Sequence, residues 1–554
     1  MITSCDEAVA RLRAVPGLSC CARPLFVLPL LRTGCLSAVL SVEGPDAGWE
    51  GEFGARFHAL EPDSGVRDHT SLGAGVHEVL RRLARTGGDG WRGRELALLP
   101  YTSMKPEWRT ALDALGARLT QPPARPALPV LGDKRAQRAW LRSVGAVTPP
   151  DAVVPTLDHR ELRRRFGERY VVQTPTGSSG RGTHLVTDQA QLAPIHRSGG
   201  GPWLVSGYVE GPAVNVHVLV SADSTVRVLR PSVQLTRVEG IGAPFGAYSG
   251  CDFAAPALLA PRALERAATA SRRVGEALAA LGYRGLFGAD FVLDGDHPLL
   301  LELNCRMQGS TWLLGELELA EGALPSALRH VLELYGHVTG GEARTDAAGA
   351  AQLMVRHTGA PVRVATAPGG GLHRLKDGRL QYCGAGFGLL ECGPDDCVLL
   401  QLPSPGTVLL PGVPLARVVA RHALTTADGT ALTAHGRQLV DALYAGFVLT
   451  PLEEPLDRLL DRPAQKPVEE AAEERVGSAG PAGPVGSAGS VGSVGSVGSV
   501  GSVGSVGSVR PVGSVGSVGS VGSVGSVGSV GSVGSVGSAG PVGSVGSVGS
   551  AAPW

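Results

Sequence analysis

The chain lacks any apolar run of membrane length. Its apolar runs, such as Pro24–Leu31, are strand-sized, whereas a span needs roughly 18 residues or more. It lacks a net charge as well: 50 Lys and Arg stand against 50 Asp and Glu. That balance argues against a basic nucleic-acid binder and against an acidic solvating chain. Nine cysteines, odd in number, scattered and without a CxxC pair, lead us to expect reduced thiols rather than a disulfide framework. Met1–Val15 carries Asp6 and Glu7 and no basic-then-apolar pattern, so no secretory signal is expected. No GxSxG elbow, HExxH or GxxxxGK[ST] occurs, which removes the common signals for a nucleophilic serine, a zinc protease and a P-loop. The expectation is a soluble, cytoplasmic enzyme with neither nucleic-acid nor membrane partners.

What is present falls into segments. A length of 554 residues suggests two to four domains. Residues 1–128 alternate apolar runs (PLFVLPLL, LSAVLSVE, ELALLPY) with helix-like stretches (VHEVLRRLAR, EWRTALDALGARL), as a small α/β domain does. Residues 129–335 repeat that alternation, and 336–450 hold short strand signals ending in the helix-like GRQLVDALYAGF. A charged, Pro-punctuated linker spans 451–475. Beyond it, 476–554 is a Val-Gly-Ser repeat with one charged residue, Arg510. Gly recurs there every third residue, which raises a collagen reading, but prolines are few and a flexible, disordered tail is expected instead.

The richest segment is Gly285–Thr311, GLFGADFVLDGDHPLLLELNCRMQGST. Two strand-like halves flank a turn at Asp294, Gly295 and Pro298. Pairing Leu293 with Leu299 sets Asp290 opposite Glu302, and alternation sends Leu299, Leu301 and Leu303 one way and Glu302 and Asn304 the other. Facing carboxylates repel, and a hard divalent cation with oxygen ligands relieves that repulsion. A solvated outer face with incidental acids is the alternative.

Upstream, VVQTPTGSSGRGTHLV is a strand, a glycine-rich loop and a second strand. Gly177, Gly180 and Gly182, with the hydroxyls of Ser178, Ser179 and Thr183, suit phosphate oxygens, and Arg181 adds a cation. A plain mobile turn is the alternative. In LGDKRAQRAWLRSVG, Asp133 is placed to cap a helix whose apolar residues are Ala136, Trp140 and Leu141. Lys134 falls in its first turn. The chain has four lysines against 46 arginines, so a lysine here suggests that a compact point charge is wanted, unless it is a chance surface residue.

In order and spacing, GDK, the SSGRG hairpin, WLVSGYVEGP and GADF…LELNCRMQG resemble the ATP-grasp superfamily, in the manner of carboxylate–amine ligases of its biotin-carboxylase-like branch. The resemblance implies an α/β (α+β) ATP-grasp fold with a preceding Rossmann-like domain and a mostly β C-terminal domain. It implies ATP and two Mg²⁺ ions, Mn²⁺ being an alternative, with Asp290, Glu302 and Asn304 as metal ligands. Arg306 then faces the transferred phosphate, with Lys134 and Arg181 as further catalytic cations. Thr176, Gly177, Ser178, Ser179, Gly180 and Gly182 form the flap, and Val205, Ser206 and Val209 the hinge at the adenine. Gln173 stands where the family usually has a second lysine, Ser206 replaces the hinge acid, and Ala213 replaces another acid.

The reaction implied is activation of a carboxylate as an acyl phosphate and its capture by an amine, in a chain expected to form a homodimer by analogy. A biotin-carboxylase-like carboxylation enzyme and a non-catalytic ATP-binding remnant are the alternatives. Substrate choice is expected in Pro231–Phe253, where Arg237 is a candidate carboxylate clamp, a solvated loop arginine being the alternative. The following helix carries an apolar stripe of Leu264, Ala267, Val274, Leu278 and Leu281. His184, His217 and Cys305 read as ordinary strand residues.

Overall fold

The computed structural model describes residues 1–46, 48–59, 65–67, 72–85, 95–100, 106–116, 118–119, 132–177, 180–197, 201–341, 349–453, 455–456, 497–500, 503–506, 515–524 and 533–539. The chain divides into two units, Met1–Lys466 and Pro467–Trp554. Among the described residues no helix is long and apolar enough to cross a membrane.

The first unit begins with five parallel strands in the order Arg56–Ala59, Ala38–Ser41, Leu18–Cys21, Glu95–Pro100 and Arg118–Leu119. Every residue of the strands Leu18–Cys21 and Ala38–Ser41 is buried, as parallel strands covered on both faces must be. The expected strand PLFVLPLL is instead a 3₁₀ turn, Pro24–Val27, and a short helix, Leu28–Leu31. Each prolyl ring opens a helical turn, where its missing N–H costs nothing, whereas mid-strand it would break a ladder.

Next come four antiparallel strands in the order Asp151–Val154, Trp203–Gly207, Tyr170–Gln173 and Thr183–Val186. They bury Leu157, Leu162, Tyr170, Val172, Val186 and Val205 in a small core. A ten-stranded antiparallel sheet then runs from His297–Asn304 through Gly285–Asp294, Ala213–Val220, Val226–Gln234 and Gly250–Asp252 into Ala351–Arg356, Pro414–Ala420, Asp396–Leu400, Gly371–Lys376 and Arg379–Gly384. The strand pair Gly250–Asp252 and Ala351–Arg356 carries this sheet across the expected boundary at 335. Val66–Arg67 also pairs with Val408–Leu409, so the first and third expected segments share a smaller sheet.

The helix Pro261–Ala280 covers one face of the large sheet. It buries Ala263, Ala267, Ser271, Val274, Gly275 and Leu278, whereas the expected Leu281 is the C-terminal cap and 46 % exposed. In the second unit, four repeat segments pair in parallel, Val497 with Val515 and Val515 with Val533. Such pairing rests on backbone hydrogen bonds, since Gly, Ser and Val offer little bulk for a core.

Candidate active site

The hairpin Gly285–Asp294/His297–Asn304 sets the site. Asp290 lies opposite Glu302, as expected, and Gly288 opposite Asn304, but Phe291 pairs with Leu300 and Leu293 with Pro298. Leu301 is therefore an extra residue in a β-bulge, which kinks the strand and offsets its alternation. The leucines sent into the core are Leu300 and Leu303, not Leu299 and Leu301. The bulge restores the register at the two acids, so the carboxylate pair is where even alternation placed it.

Asp290 is 7 % exposed. Its carboxylate accepts from Asn215 Nδ2 at 2.5 Å, Gln234 Nε2 at 2.9 Å and Asn304 Nδ2 at 2.8 Å. Asn304 Nδ2 also lies 3.4 Å from Glu302 Oε1, and Arg306 Nη2 donates to Asn304 Oδ1 at 3.0 Å. Lys134 Nζ meets Glu302 Oε2 at 2.7 Å. Burial, and then the neighbouring Glu302 charge, push the Asp290 carboxyl well above the carboxylate range. Burial also pulls Glu302 upward, but Lys134, by charge and hydrogen bond, holds it below its ordinary value.

Lys134 is placed by a capped helix. Asp133 accepts from the backbone N–H groups of Arg135 and Ala136, as expected of an N-cap. The buried residues of Lys134–Ser143 are the expected Leu141 together with Gln137 and Arg138, while the expected Trp140 is half-buried against the same core and Ala136 is half-buried. Gln137 both donates to Leu303 O at 3.0 Å and accepts from Leu303 N at 2.8 Å, while Arg138 donates to Leu301 O at 2.9 Å. Two polar side chains thus pair with the edge strand as a neighbouring strand would.

The flap is hinged to the same helix, since Lys134 N donates to Pro175 O at 2.8 Å. Gln173 faces Thr183 across its base and donates to Thr183 Oγ1 at 3.2 Å. Thr176, Gly177, Gly180, Arg181 and Gly182 are described, with Arg181 exposed, while Ser178 and Ser179 lie outside the described residues. Gly180, at φ +82°, sits so close to Gly246 that a Cβ would be 2.4 Å from its carbonyl oxygen. The flap therefore rests on the loop that precedes Gly250. In the hinge, Val205 and Ser206 are buried and Val209 is half-buried, with Val205 paired to Val172. Arg237 is engaged by Tyr208 Oη, Glu210 Oε1 and Gly211 O at 2.5, 2.8 and 2.5 Å, so it ties the loop to the hinge rather than waiting for a substrate.

Asn215 and Gln234 were missed from sequence. AVNVHVLV, Ala213–Val220, did carry a signal: polar Asn215 and His217 alternate with valines, so they share a face. Asn215 pairs with Asp290, which no local pattern reveals. His217 is buried, and its Nε2 lies 3.2 Å from both Thr311 Oγ1 and Ser310 Oγ.

Among the described residues no three His, Cys, Asp or Glu side chains form a metal-holding group; the candidate set is two carboxylates and an amide. Those donors are hard oxygens of the kind Mg²⁺ takes. The buried Asn215 Oδ1 beside Asp290 has no hydrogen-bond partner, so the site still holds acceptor capacity. The residues fit a hard cation, with the Asn304 amide turned from its present pose so that Oδ1 points inward.

Residues 131–310 match the family described as an ATP-grasp domain. This segment is an ATP-grasp domain. Among similar proteins, an L-propargylglycine–L-glutamate ligase of Streptantibioticus cattleyicolor is 37 % identical over 105 residues, 19 % of this chain and 20 % of that one. A [butirosin acyl-carrier protein]–L-glutamate ligase of Niallia circulans is 28 % identical over 174 residues, covering 29 % and 39 %. A formate-dependent phosphoribosylglycinamide formyltransferase of Burkholderia pseudomallei is 28 % identical over 206 residues, covering 35 % and 49 %. The chain thus spans less than half the length of these relatives. The solved biotin carboxylase domain of the Hydrogenobacter thermophilus 2-oxoglutarate carboxylase is similar at 14 % identity and TM-score 0.49, over 73 % of this chain and 86 % of that one. Outside the ATP-grasp domain, the Rossmann-like first sheet and the β-rich last segment complete an α/β architecture.

Proposed function

We propose that this protein is an ATP-dependent carboxylate–amine ligase, in which 1–128, 129–335 and 336–450 surround one nucleotide cleft. A substrate carboxylate attacks the γ-phosphate, ADP leaves, and an amine displaces phosphate from the acyl phosphate. The observation that carries this reading is the convergence of Asp290, Glu302 and Asn304 on one hairpin face, with Lys134 and Arg306 hydrogen-bonded to that same set. Asp290, Glu302 and Asn304 would hold Mg²⁺, which would supply charge neutralisation at the phosphates.

The residues have separable tasks. Lys134, now paired with Glu302, would place its ammonium against a phosphate oxygen of the bound nucleotide. Arg306 steadies the charge on the transferred group. The flap, Thr176–Gly182, closes over the phosphates and excludes water, and the backbone of Val205–Val209 meets the adenine. Gln173 supplies a neutral donor where a cation would bind more strongly. Losing one charge-assisted hydrogen bond there costs about 1.5–3 kcal/mol, which weakens ATP binding without abolishing it.

Small-molecule acids and amines are the substrates, and glutamate, named in two of the similar ligases, is the first acid to test. Incubating the full chain with MgATP and pooled acids and amines should release ADP and phosphate only when both pools are present. Asp290→Asn with Glu302→Gln should abolish that release. ATP turnover that needs bicarbonate instead of an amine would move the protein to the carboxylation class. Turnover unchanged by the double substitution would remove the metal assignment.

A further inference from the structure

The carboxyl ends of the first parallel strands meet the face of the large sheet that carries Gln352, Arg356 and Arg417. Arg23 and Glu43 follow the strands Leu18–Cys21 and Ala38–Ser41 by two residues each and form an ion pair. The strand Leu18–Cys21 has its sequence successor on one side and Glu95–Pro100 on the other. It therefore borders the switch point of the sheet, where open α/β folds bind ligands.

Arg417 is 1 % exposed. Its Nε donates to Gln401 Oε1 at 2.8 Å and its Nη1 to Gln352 Oε1, while Nη2 is buried with no hydrogen-bond partner. Arg356 donates to Gly412 O at 3.1 Å and Tyr248 O at 2.9 Å, and its Nε is likewise buried and unpartnered. Among the described residues neither guanidinium makes an ion pair. Arg67 adds a half-buried cation, donating to Gln401 O and Pro414 O. The acids of the cluster are committed: Glu43 to Arg23 and Gln401, and Asp46 to the Gln401 backbone N–H. Burial, and then the charges of Arg417 and Arg23, push the Arg356 guanidinium down to about 10.

Buried charge without a counter-ion is costly, and one guanidinium short of its hydrogen bonds adds to that cost. Two such groups, each with an open N–H, therefore favour an incoming anion, and the guanidinium fork suits a carboxylate or phosphate. The cluster also touches the phosphate site. Gln352 Nε2 donates to Gly309 O at 2.8 Å and to Tyr248 Oη at 3.0 Å, and Gly309 lies three residues beyond Arg306.

We propose that Arg417 and Arg356 hold an oxyanion of the amine-bearing substrate, one that is not consumed in the reaction. This rests on the ligase reading and narrows the amine to molecules carrying a second, anionic group, such as α-amino acids, peptides or phosphorylated amines. Neutral amines of the same size lack what the site is built to neutralise.

The test is a thermal-shift and titration series on the full chain with MgADP present. The probes are the pooled common L-amino acids, the matching amino-acid amides, and O-phosphoethanolamine. The wild type should be stabilised by the amino acids or by the phosphorylated amine, the responding arm naming the oxyanion, and not by the amides. Arg417→Gln should weaken that binding by about tenfold or more while leaving MgADP affinity within about twofold, and Arg417→Lys should recover part of it. Arg356→Gln carries the same measurement should Arg417→Gln fail to fold. Equal binding of amides and acids, no response to either anionic probe, or an unchanged Arg417→Gln overturns the assignment. Absence of ADP release with every acid–amine pair would count against the ligase reading alone, because anion binding is read without turnover.

Discussion

Lys134 Nζ and Glu302 Oε2 stand 2.7 Å apart although 168 positions separate them in the chain. The contact ties the first turn of a helix to the hairpin that carries the candidate metal ligands. It also keeps two facing carboxylates compatible, since Glu302 stays ionised beside a cation while Asp290 is pushed toward its protonated form.

Lys134→Met should therefore act on charge more than on fold. With the cation gone, the acids repel and ATP loses one charge-assisted contact, so nucleotide affinity should fall about 10- to 100-fold, following the loss of about 1.5–3 kcal/mol. Titration with MgADP reads this, and an affinity within about twofold of wild type would refute it.

Gln137→Leu should instead act on stability. It removes both hydrogen bonds to Leu303 and leaves buried backbone groups unpaired, a loss of about 2 kcal/mol. Denaturant unfolding should show that drop, and turnover should fall as well, because Asn304 is the next residue on the strand.

Gly180→Val tests the flap. A positive φ and a Cβ 2.4 Å from Gly246 O prevent any larger residue from seating there. Displacing the flap should cost on the order of 1–3 kcal/mol, raising KM for ATP about tenfold with little change in Tm. An unaltered KM would show that the flap need not rest on Gly246.

The pH dependence of stability has a defined sign at His217. Burial pushes its imidazole down to about 4, so below its ordinary value the unfolded chain binds a proton that the folded chain refuses. Stability from this group is complete above about pH 6.5 and is lost as pH falls toward 4, by about 3 kcal/mol at most. Glu318, pushed up to about 7 by burial, works the other way and gains stability as pH falls below 7. Melting curves of wild type, His217→Gln and Glu318→Gln across pH 4–8 separate the two. A wild type and His217→Gln that respond identically to acid would contradict the His217 reading.

Removing 476–554 should leave the Tm of the remaining chain within about 1 °C and ADP formation unaltered, since the repeat supplies few large apolar groups to a core. Calorimetry of the truncated chain checks it.

Periodicity and local chemistry were enough to place the helix cap at Asp133, the flap glycines between two strands, and Asp290 across from Glu302, because each depends on neighbours in the chain or on one short turn. Local pattern failed where a single residue changed the count. The bulge at Leu301 moved the core leucines to Leu300 and Leu303, and paired prolines turned PLFVLPLL from a strand into helical turns. The partners of those acids came only with the fold: Asn215 and Gln234 on Asp290, Gln137 on the edge strand, and Arg356 and Arg417 on the sheet face opposite Arg23. Alternation says which side of a strand a residue occupies, but which strand lies beside it is decided by how distant segments pack. A buried charge or amide shows its purpose only when the groups that satisfy it, or leave it unsatisfied, arrive from elsewhere in the chain.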